Sequence, residues 1–486
     1  MSVRDKAATA STLGEMAARA GAGFGTSGVR GRVADLTPAL CHAYAQAFLS
    51  IVEPRRGRVL IGQDLRPSSP GIAAACAAAA QEARIEVVNA GVLPTPALAF
   101  AAQSLGLPAI MVTGSHIPFD RNGIKFYHAH GEITKEDEQK ILSFTPPHFG
   151  PPPACDLPEP DPGPLALYLA RYRSAFGKKA LEGFRIGVYE HSSAARDLLH
   201  RLLKDLGAET VSLGRSDDFV PIDTEAVRPE DREAAPRWCR AHALDAVVTT
   251  DGDADRPLVA DEKGTWLRGD VLGLICALEL GARTVVTPVS SNTALERCGA
   301  VQQVIRTRIG SPHVIAGMDE ARLHPVVGYE ANGGLLLGST VTLAGGTLAP
   351  LRTRDAILPV LLLLSRARRT GSSVSALLED IDRHTASDRL QGVEPERCQH
   401  VIALADTDAP TVVALLTGGA GAWRTIDRTD GVRVTLESGD IVHIRLSGNA
   451  PELRCYTESW SQAQAEDLCR TCLARLAPRV LADSAR

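Results

Sequence analysis

The sequence predicts an α/β protein in which three similar α/β domains are followed by a C-terminal α+β domain. The chain has 486 residues, which is more than one hydrophobic core usually serves. Short apolar runs alternate with helix-favouring segments through most of its length. Towards the end of the chain, this alternation gives way to strand-like runs and one closing helix. Together these observations indicate four domains.

The first domain is predicted to span residues 1–150. Residues 58–62 form an apolar run that ends in glycine, which favours a strand, and the alanine-rich residues 70–84 favour a helix. Residues 108–114 predict a further strand that ends next to Ser115. Ligands bind beyond the carboxyl ends of the strands in open α/β sheets, so Ser115 lies where a binding site is expected.

The proline-dense segment 145–164 predicts a stiff, extended linker, because proline is excluded from helix interiors and central strands. We expect the second domain to cover residues 165–269, the third 270–385 and the fourth 390–486. The main elements predicted in them are strands at residues 184–189, 246–250, 283–290, 432–436 and 440–446, helices at 194–206 and 356–369, and a closing helix.

Composition argues against several classes of protein. A net charge of -5 with scattered Lys and Arg residues provides no basic field for nucleic acid. The longest aliphatic run, residues 357–365, is too short to cross a bilayer, and the first residues lack the apolar stretch of a secretory signal. We therefore expect a cytoplasmic protein, monomeric or homodimeric, with small anions as partners and no nucleic-acid or membrane partner.

The ten cysteines are spread without a tight framework, which is typical of cytosolic thiols. Cys469 and Cys472 form a CxxC pair in a segment that favours a helix, and no second pair stands at zinc-ligand spacing. We expect these two thiols to serve packing.

The strongest single motif is residues 112–127, which place Ser115 in a turn marked by glycine and proline. A phosphate on this serine would bring a charge of about -1.5 to -2 and would need cations around it. His116, Arg121 and Lys125 could supply them, and Lys125 could act as general acid or base if its pKa is lowered. The alternative is a turn serine that satisfies its own backbone.

A second motif has three carboxylates on alternate residues, Asp251, Asp253 and Asp255. Side chains at this spacing in an extended loop can converge on one hard cation. Arg256 adds the positive group that a phosphoryl-transfer site needs. An EF-hand is disfavoured because Arg256 replaces the glycine required at the sixth loop position, and a solvated acidic turn is the other alternative.

Two further loops are weaker indications. Residues 23–32 form a glycine-rich loop in which Arg30 and Arg32 could contact an anionic ligand, although flexible glycine loops are common. Residues 63–70 most simply predict a turn followed by a helix N-cap.

Two late loops offer groups suited to a sugar phosphate. Residues 328–334 contain Glu330 and Asn332, which suit sugar hydroxyls, with a charged turn as the alternative. Residues 445–454 have the composition of a phosphate cradle built from backbone amides, hydroxyl and guanidinium groups. Its candidate members are Arg445, Ser447, Gly448, Asn449 and Arg454.

The order of these motifs resembles that of the α-D-phosphohexomutase superfamily, the phosphomannomutases and phosphoglucomutases, from about Gly23 onward. The segments that match are the serine loop at 113–118 with 122–125, the metal loop at 251–256, the sugar loop at 328–334 and the phosphate loop at 445–454. The resemblance implies four domains around a central cleft.

The resemblance also implies residue roles. Ser115 would carry the phosphate and would join the three aspartates, Asp251, Asp253 and Asp255, in binding one Mg²⁺ per chain. His116, Lys125 and Arg30 would complete the catalytic group. The implied substrate-binding residues are Arg256, Arg308, Gly310, Glu330, Asn332, Arg445, Ser447, Gly448, Asn449 and Arg454.

The implied reaction moves phosphate between O6 and O1 of a hexose through the phosphoserine. A hexose 1,6-bisphosphate is the intermediate and the activator, and it must turn over before its other phosphate returns to Ser115. Small-molecule hexose phosphates are the expected partners, and the metal would neutralise charge at the transferring group.

The chain departs from the usual pattern of the superfamily at Ile117, Asn332 and Asn449-Ala450. Because the sugar loop distinguishes the subfamilies, Asn332 bears on substrate choice, and the closest pattern is that of bacterial phosphomannomutases that feed nucleotide-sugar pathways. The alternatives are a phosphoglucomutase, a dual enzyme, a phosphoglucosamine mutase, a sugar phosphatase, and a sugar-phosphate sensor without catalysis.

Overall fold

The structure is a computed structural model that describes residues 11–25, 28–52, 57–379, 381–419, 422–447 and 451–481. Four units follow one another along the chain. Three contain a sheet with parallel strands and flanking helices, and the last contains an antiparallel sheet with helices packed against it. The α/β class with a C-terminal α+β unit is therefore confirmed.

The first unit is built on a seven-stranded sheet in the order β1-β2-β6-β5-β3-β4, with β7 paired to β6. The alanine-rich helix and the strand before Ser115 form as predicted. Its elements are α1 Leu13–Ala20, β1 Gly23–Phe24, β2 Val29–Arg32, α2 Pro38–Val52, β3 Arg58–Gln63, α3 Ser69–Glu82, β4 Glu86–Val92, α4 Thr95–Leu105, β5 Ala109–Val112, β6 Arg121–His128, β7 Gly131–Glu132 and α5 Lys135–Ser143.

The linker contains no helix or strand from residue 144 to 162, and its last residues, Gly163 and Pro164, already belong to a helix because proline is tolerated in the first helical turn. The second unit has a four-stranded sheet in the order β11-β10-β8-β9. Its elements are α6 Gly163–Phe176, β8 Arg185–His191, α7 Arg196–Asp205, β9 Glu209–Arg215, α8 Pro229–His242, β10 Ala246–Thr250 and β11 Pro257–Ala260.

The third unit has a five-stranded sheet in the order β13-β12-β14-β15-β18 and a separate hairpin of β16 and β17. Its elements are α9 Gly269–Glu279, β12 Thr284–Pro288, α10 Ala294–Arg297, β13 Gln303–Thr307, α11 Ser311–Asp319, β14 Val326–Tyr329, β15 Leu335–Leu337, β16 Val341–Thr342, β17 Thr347–Leu348, β18 Leu351–Asp355 and α12 Ile357–Thr370. A 3₁₀ turn, Ser375–Leu378, follows.

The fourth unit has an antiparallel sheet in the order β19-β23-β22-β21-β20. Its elements are β19 His384–Gln391, α13 Pro395–Thr407, α14 Ala409–Thr417, β20 Trp423–Asp427, β21 Val432–Leu436, β22 Ile441–Leu446, β23 Glu452–Ser459 and α15 Gln462–Val480. Since β19 pairs with β23 from His384 onward, this sheet takes in residues before the predicted start at 390. Cys469 and Cys472 lie buried on α15.

The buried apolar side chains show how the units join. One cluster runs through the first three units and includes Leu98, Tyr168 and Leu361. The fourth unit packs a cluster of its own, which includes Val432 and Leu476. Within the part of the chain that the structure describes, the helices are too short or too polar to cross a membrane.

Candidate active site

Ser115 lies at the turn between β5 and β6, where the antiparallel pairing of these strands forces the chain to reverse. Its backbone φ of 53° is left-handed, which is costly for a residue other than glycine. The side chain is buried, and the amide donates to Thr113 Oγ1 at 2.8 Å. Such strain is a recurrent property of functional turns.

The Asp loop, Asp251 to Arg256, closes the hairpin of β10 and β11. Ser115 Oγ donates to Asp251 Oδ2 at 2.5 Å, so two segments from different units meet directly. The three carboxylates, Asp251, Asp253 and Asp255, are all buried, which makes the solvated acidic turn wrong. The EF-hand alternative is wrong as well, because strands rather than helices flank the loop.

The carboxylates of the Asp loop fit a divalent cation. They each offer an oxygen, and these oxygens lie within 4.8 Å of one another. Asp253 Oδ1 and Asp255 Oδ1 are buried without a hydrogen-bond partner. Buried polar atoms are normally satisfied, and hard cations such as Mg²⁺ prefer carboxylate oxygens.

Lys125 and Arg354 donate to the other carboxylate oxygens of Asp253 and Asp255. Lys125 Nζ donates to Asp253 Oδ2 at 2.7 Å and to Asp255 Oδ2 at 2.8 Å. Arg354 Nη2 donates to Asp255 Oδ2 at 2.7 Å. Burial raises the pKa of Asp255, but Arg354, Lys125 and Arg256 outweigh it, so the net pKa is lowered. Asp251, by contrast, has its pKa raised by burial and by the two neighbouring carboxylates.

Lys125 does not have the lowered pKa that would let it act as general acid or base. Burial lowers the pKa of Lys125, but Asp253 and Asp255 raise it more, and the net pKa lies above the ordinary value. The sequence left the direction of this shift open, because both carboxylates come from the second unit and their proximity depends on tertiary structure.

A histidine and two arginines lie near the serine and the Asp loop. His116 Nδ1 lies 3.3 Å from Ser115 Oγ, and the pKa of His116 is lowered by burial, Arg256 and Arg30. Burial, Arg256 and Arg354 lower the pKa of Arg30 to about 10. Arg256 Nε lies 3.7 Å from Asp255 Oδ1 and has no hydrogen-bond partner. Arg32, in contrast, is exposed.

The predicted sugar loop lies between β14 and β15 and contacts this group through Arg354. Glu330 accepts from Arg354 Nη1 at 3.0 Å and from the Gly310 amide at 3.1 Å. Asn332 Oδ1 accepts from the Gly334 amide at 2.9 Å, and the Asn332 carbonyl accepts from Thr224 Oγ1 at 2.9 Å. The sugar loop is thus braced from the second and third units.

The fourth unit meets the third at the strand end that carries Arg308. Arg308 Nε donates to the Thr429 carbonyl at 3.0 Å, and the Ile309 amide donates to Asp430 Oδ2 at 3.0 Å. Arg445 Nε lies 3.2 Å from the same Asp430 oxygen. Asp430 therefore links the phosphate loop to the third unit.

On the other strand of the phosphate loop, Arg454 Nη2 lies 3.5 Å from Glu452 Oε2, and the Ser447 amide donates to the Glu452 carbonyl at 2.8 Å. Gly448 and Asn449 lie outside the described residues.

Reasoning from the sequence missed four residues of the site: Asp64, Arg66, Thr95 and Arg354. Asp64 and Arg66 lie in the segment 63–70, which was interpreted as a turn followed by a helix N-cap, and both are buried beneath the serine loop. A charged pair two residues apart after a buried strand was the available signal. Nothing local distinguishes Arg354 or Thr95, because their partners lie in other units.

Comparison with known protein families gives a match for each of the four units. Family descriptions of phosphoglucomutase/phosphomannomutase match in four parts: alpha/beta/alpha domain I at residues 21–146, domain II at 166–264, domain III at 268–384 and the C-terminal domain at 379–473.

Two similar curated proteins are called phosphomannomutase. The one from Salmonella muenchen is 46% identical over 465 residues, covering 94% of this chain and 96% of that protein. The one from Sinorhizobium fredii is 42% identical over 468 residues, covering 93% and 98%. A phosphoglucomutase/phosphomannomutase family protein from Burkholderia thailandensis has a similar solved structure, with a TM-score of 0.72, 21% identity, and coverage of 93% of this chain and 97% of that one.

Proposed function

Because the chain belongs to the phosphoglucomutase/phosphomannomutase family, we propose that it is a phosphomannomutase that interconverts mannose 6-phosphate and mannose 1-phosphate through a phosphoserine. The observation that carries the mechanism is the contact of Ser115 Oγ with Asp251 Oδ2 at 2.5 Å, next to carboxylates that pair with Lys125 and Arg354. Family membership makes the enzyme an isomerase of the phosphotransferase type.

The transfer exchanges one ester for another. The bond between Ser115 Oγ and phosphorus breaks as a bond forms between phosphorus and a sugar hydroxyl oxygen, and the hydroxyl proton passes to Oγ. The product is a hexose 1,6-bisphosphate. In the second transfer, the other phosphate of the bisphosphate moves onto Ser115, and the proton on Oγ passes to the sugar oxygen that is released. Charge and atoms therefore balance over the cycle.

The side chains around Ser115 suit this exchange. His116 Nδ1, 3.3 Å from Oγ, is placed to relay the proton. Arg30, Arg256 and Arg354 supply fixed positive charge where the phosphoryl oxygens would lie, which is the electrostatic stabilisation that phosphoryl transfer depends on. Lys125 remains protonated in this arrangement and holds Asp253 and Asp255 in place.

Asp251, Asp253 and Asp255 would hold one Mg²⁺, and Ser115 lies beside them. When bound, Mg²⁺ would neutralise charge on the transferring phosphoryl group. The support for this ion is the chemistry of the donor set, which consists of oxygens from three carboxylates.

The sugar must bind in two orientations, because O1 and O6 take turns as acceptor. We assign the hydroxyl contacts to Glu330 and Asn332 and the non-reacting phosphate to Arg308, Arg445 and Arg454. These arginines would then bind the non-reacting phosphate in both orientations of the sugar. A hexose 1,6-bisphosphate is the expected activator, since it would phosphorylate Ser115 before the first turnover.

A coupled assay with mannose, glucose and glucosamine 1-phosphates, Mg²⁺ and a bisphosphate activator tests the substrate. We expect isomerisation to be fastest with mannose 1-phosphate. Faster turnover of glucose or glucosamine 1-phosphate would overturn the mannose assignment, and steady release of inorganic phosphate without isomerisation would show a phosphatase.

Ser115→Ala tests the nucleophile. We expect it to fold normally and to lose nearly all turnover, because the serine lies in a turn and its hydroxyl contacts the Asp loop. A Ser115→Ala variant with full turnover would contradict the phosphoserine mechanism. Ligand binding without turnover in the unsubstituted protein would indicate a sensor.

A further inference from the structure

Arg66 lies beneath the serine loop and is buried, with 1% of its surface exposed. It follows β3, so it reaches the loop from a neighbouring strand of the same sheet. The serine loop bends around its guanidinium group. At Gly114 an added Cβ would lie 2.5 Å from the Arg66 guanidinium carbon, which shows how closely the backbone approaches this side chain.

The guanidinium group donates to four backbone carbonyls of the loop. Arg66 Nη2 donates to the carbonyls of Ser115 at 2.9 Å and Ile117 at 2.5 Å. Arg66 Nη1 donates to the carbonyls of Pro118 at 2.6 Å and Arg121 at 2.8 Å. One planar cation therefore fixes the path of the chain from the serine to the start of β6.

Asp64 holds the guanidinium group from the other side. Arg66 Nε lies 3.3 Å from Asp64 Oδ2. The same carboxylate accepts from Thr113 Oγ1 at 2.8 Å and from the Gly114 amide at 3.2 Å. Asp64 thus binds the two residues before Ser115, and Arg66 binds the serine and the residues after it.

The second unit covers this clamp with an aromatic ring. Phe219 lies with its ring centroid 4.0 Å from the Arg66 guanidinium carbon, a cation–π contact. Phe219 is itself buried, and it would also contact a Cβ added to Gly252 in the Asp loop. Phe219 thereby packs the serine loop against the second unit, which carries the aspartates.

We propose that Arg66 is a positioning residue that holds Ser115 Oγ in line for phosphoryl transfer, with Phe219 locking the guanidinium plane. The inference rests on the proposed mutase function. Ser115 has a left-handed backbone that it would not adopt alone, and the four carbonyl contacts oppose its relaxation. A lysine cannot replace them, because an ammonium group lacks the planar fork of donors.

The test compares Arg66→Lys with Arg58→Lys, a matched change at a partly exposed arginine at the start of β3, which pairs with Glu86. Each purified full-length variant is assayed for kcat and KM, and for the rate at which hexose 1,6-bisphosphate phosphorylates Ser115 in a single turnover. We expect Arg66→Lys to lower kcat and the phosphorylation rate about 100-fold with KM little changed, because a small misplacement of the nucleophile has this effect.

Phe219→Leu removes the ring and leaves the four hydrogen bonds, so it decides the matter if Arg66→Lys does not fold. We expect a loss in kcat of about 2- to 5-fold at constant KM. A folded Arg66→Lys with wild-type phosphorylation rate, a loss confined to KM, or an unchanged kcat in Phe219→Leu would overturn the inference. An inactive wild-type protein would instead refute the proposed function.

Discussion

At the scale of the residue, the site depends on charges that are buried together. Arg354 shows this most clearly, because it donates to Asp255 in the Asp loop and to Glu330 in the sugar loop while it is 4% exposed. A buried ion pair adds little net stability, but loss of one partner leaves an uncompensated charge. Arg354 therefore ties two loops together and makes both depend on it.

Arg354→Ala should lower the free energy of unfolding by about 3–5 kcal/mol, since it strands buried carboxylates. Urea denaturation of the purified variant measures this. Arg352→Ala is the control, because Arg352 lies two residues earlier on β18 in an exposed pair with Asp319 and should change stability by less than about 1 kcal/mol. Equal effects of the two substitutions would refute the role given to Arg354.

His191 gives a prediction about pH. It is buried, its Nε2 lies 2.9 Å from the Thr250 carbonyl, and burial lowers the pKa of His191 to about 4 from 6.5. The unfolded chain then binds a proton more readily, so stability falls as the pH drops from 6.5 towards 4. The contribution of this residue is about 3 kcal/mol.

His191→Gln should reduce the loss of stability between pH 6.5 and 4 by about 3 kcal/mol. The free energy of unfolding, measured across this pH range, checks this. The exposed His148 supplies the control: His148→Gln should leave the pH dependence as in the unsubstituted protein. If His191→Gln keeps the full loss of stability in acid, the buried neutral histidine is not its cause.

At the scale of the element, the functional loops sit at strand ends and are supported by elements of other units. The first turn of α4 is an example. Thr95 Oγ1 donates to Asp253 Oδ2 at 2.5 Å, and the Thr95 amide donates to the Asp253 carbonyl at 2.8 Å. A helix of the first unit thus orients a carboxylate of the second.

Thr95→Val should weaken Mg²⁺ binding about 10- to 100-fold, the usual effect of losing a residue that orients a metal ligand. Calorimetric titration of the metal-free protein with Mg²⁺ measures this. Thr210→Val is the control. Thr210 lies on β9 and its hydroxyl contacts His200, so this variant should bind Mg²⁺ as the unsubstituted protein does. An unchanged affinity in Thr95→Val would show that the helix does not orient the site.

The sequence predicted the strands that lead to Ser115 and Asp251 because hydrophobic runs and turn residues are local signals. It missed Arg66, because the role of a charged side chain in a turn depends on which backbone folds over it. It left the direction of the Lys125 pKa shift open, because the carboxylates beside it come from another unit. Local patterns thus located the loops, and tertiary contacts determined their chemistry.

At the scale of the whole molecule, the four units are joined in two ways. The first three share a buried apolar cluster, whereas the fourth, with its own core, meets the third through polar contacts such as Thr293 with Glu458 and Arg308 with Thr429. The residues proposed to hold phosphate are therefore divided between a shared apolar body and a unit attached by hydrogen bonds.

If the phosphoryl group passes through Ser115, this residue is labelled and discharged during turnover. The most direct measurement is to incubate the protein and Mg²⁺ with a hexose 1,6-bisphosphate that carries radiolabelled phosphate, and then to map the labelled peptide. We predict label on the peptide that contains Ser115, and its discharge into product when mannose 1-phosphate is added. Isomerisation without label on Ser115, or label on another residue that discharges at the turnover rate, would contradict the account.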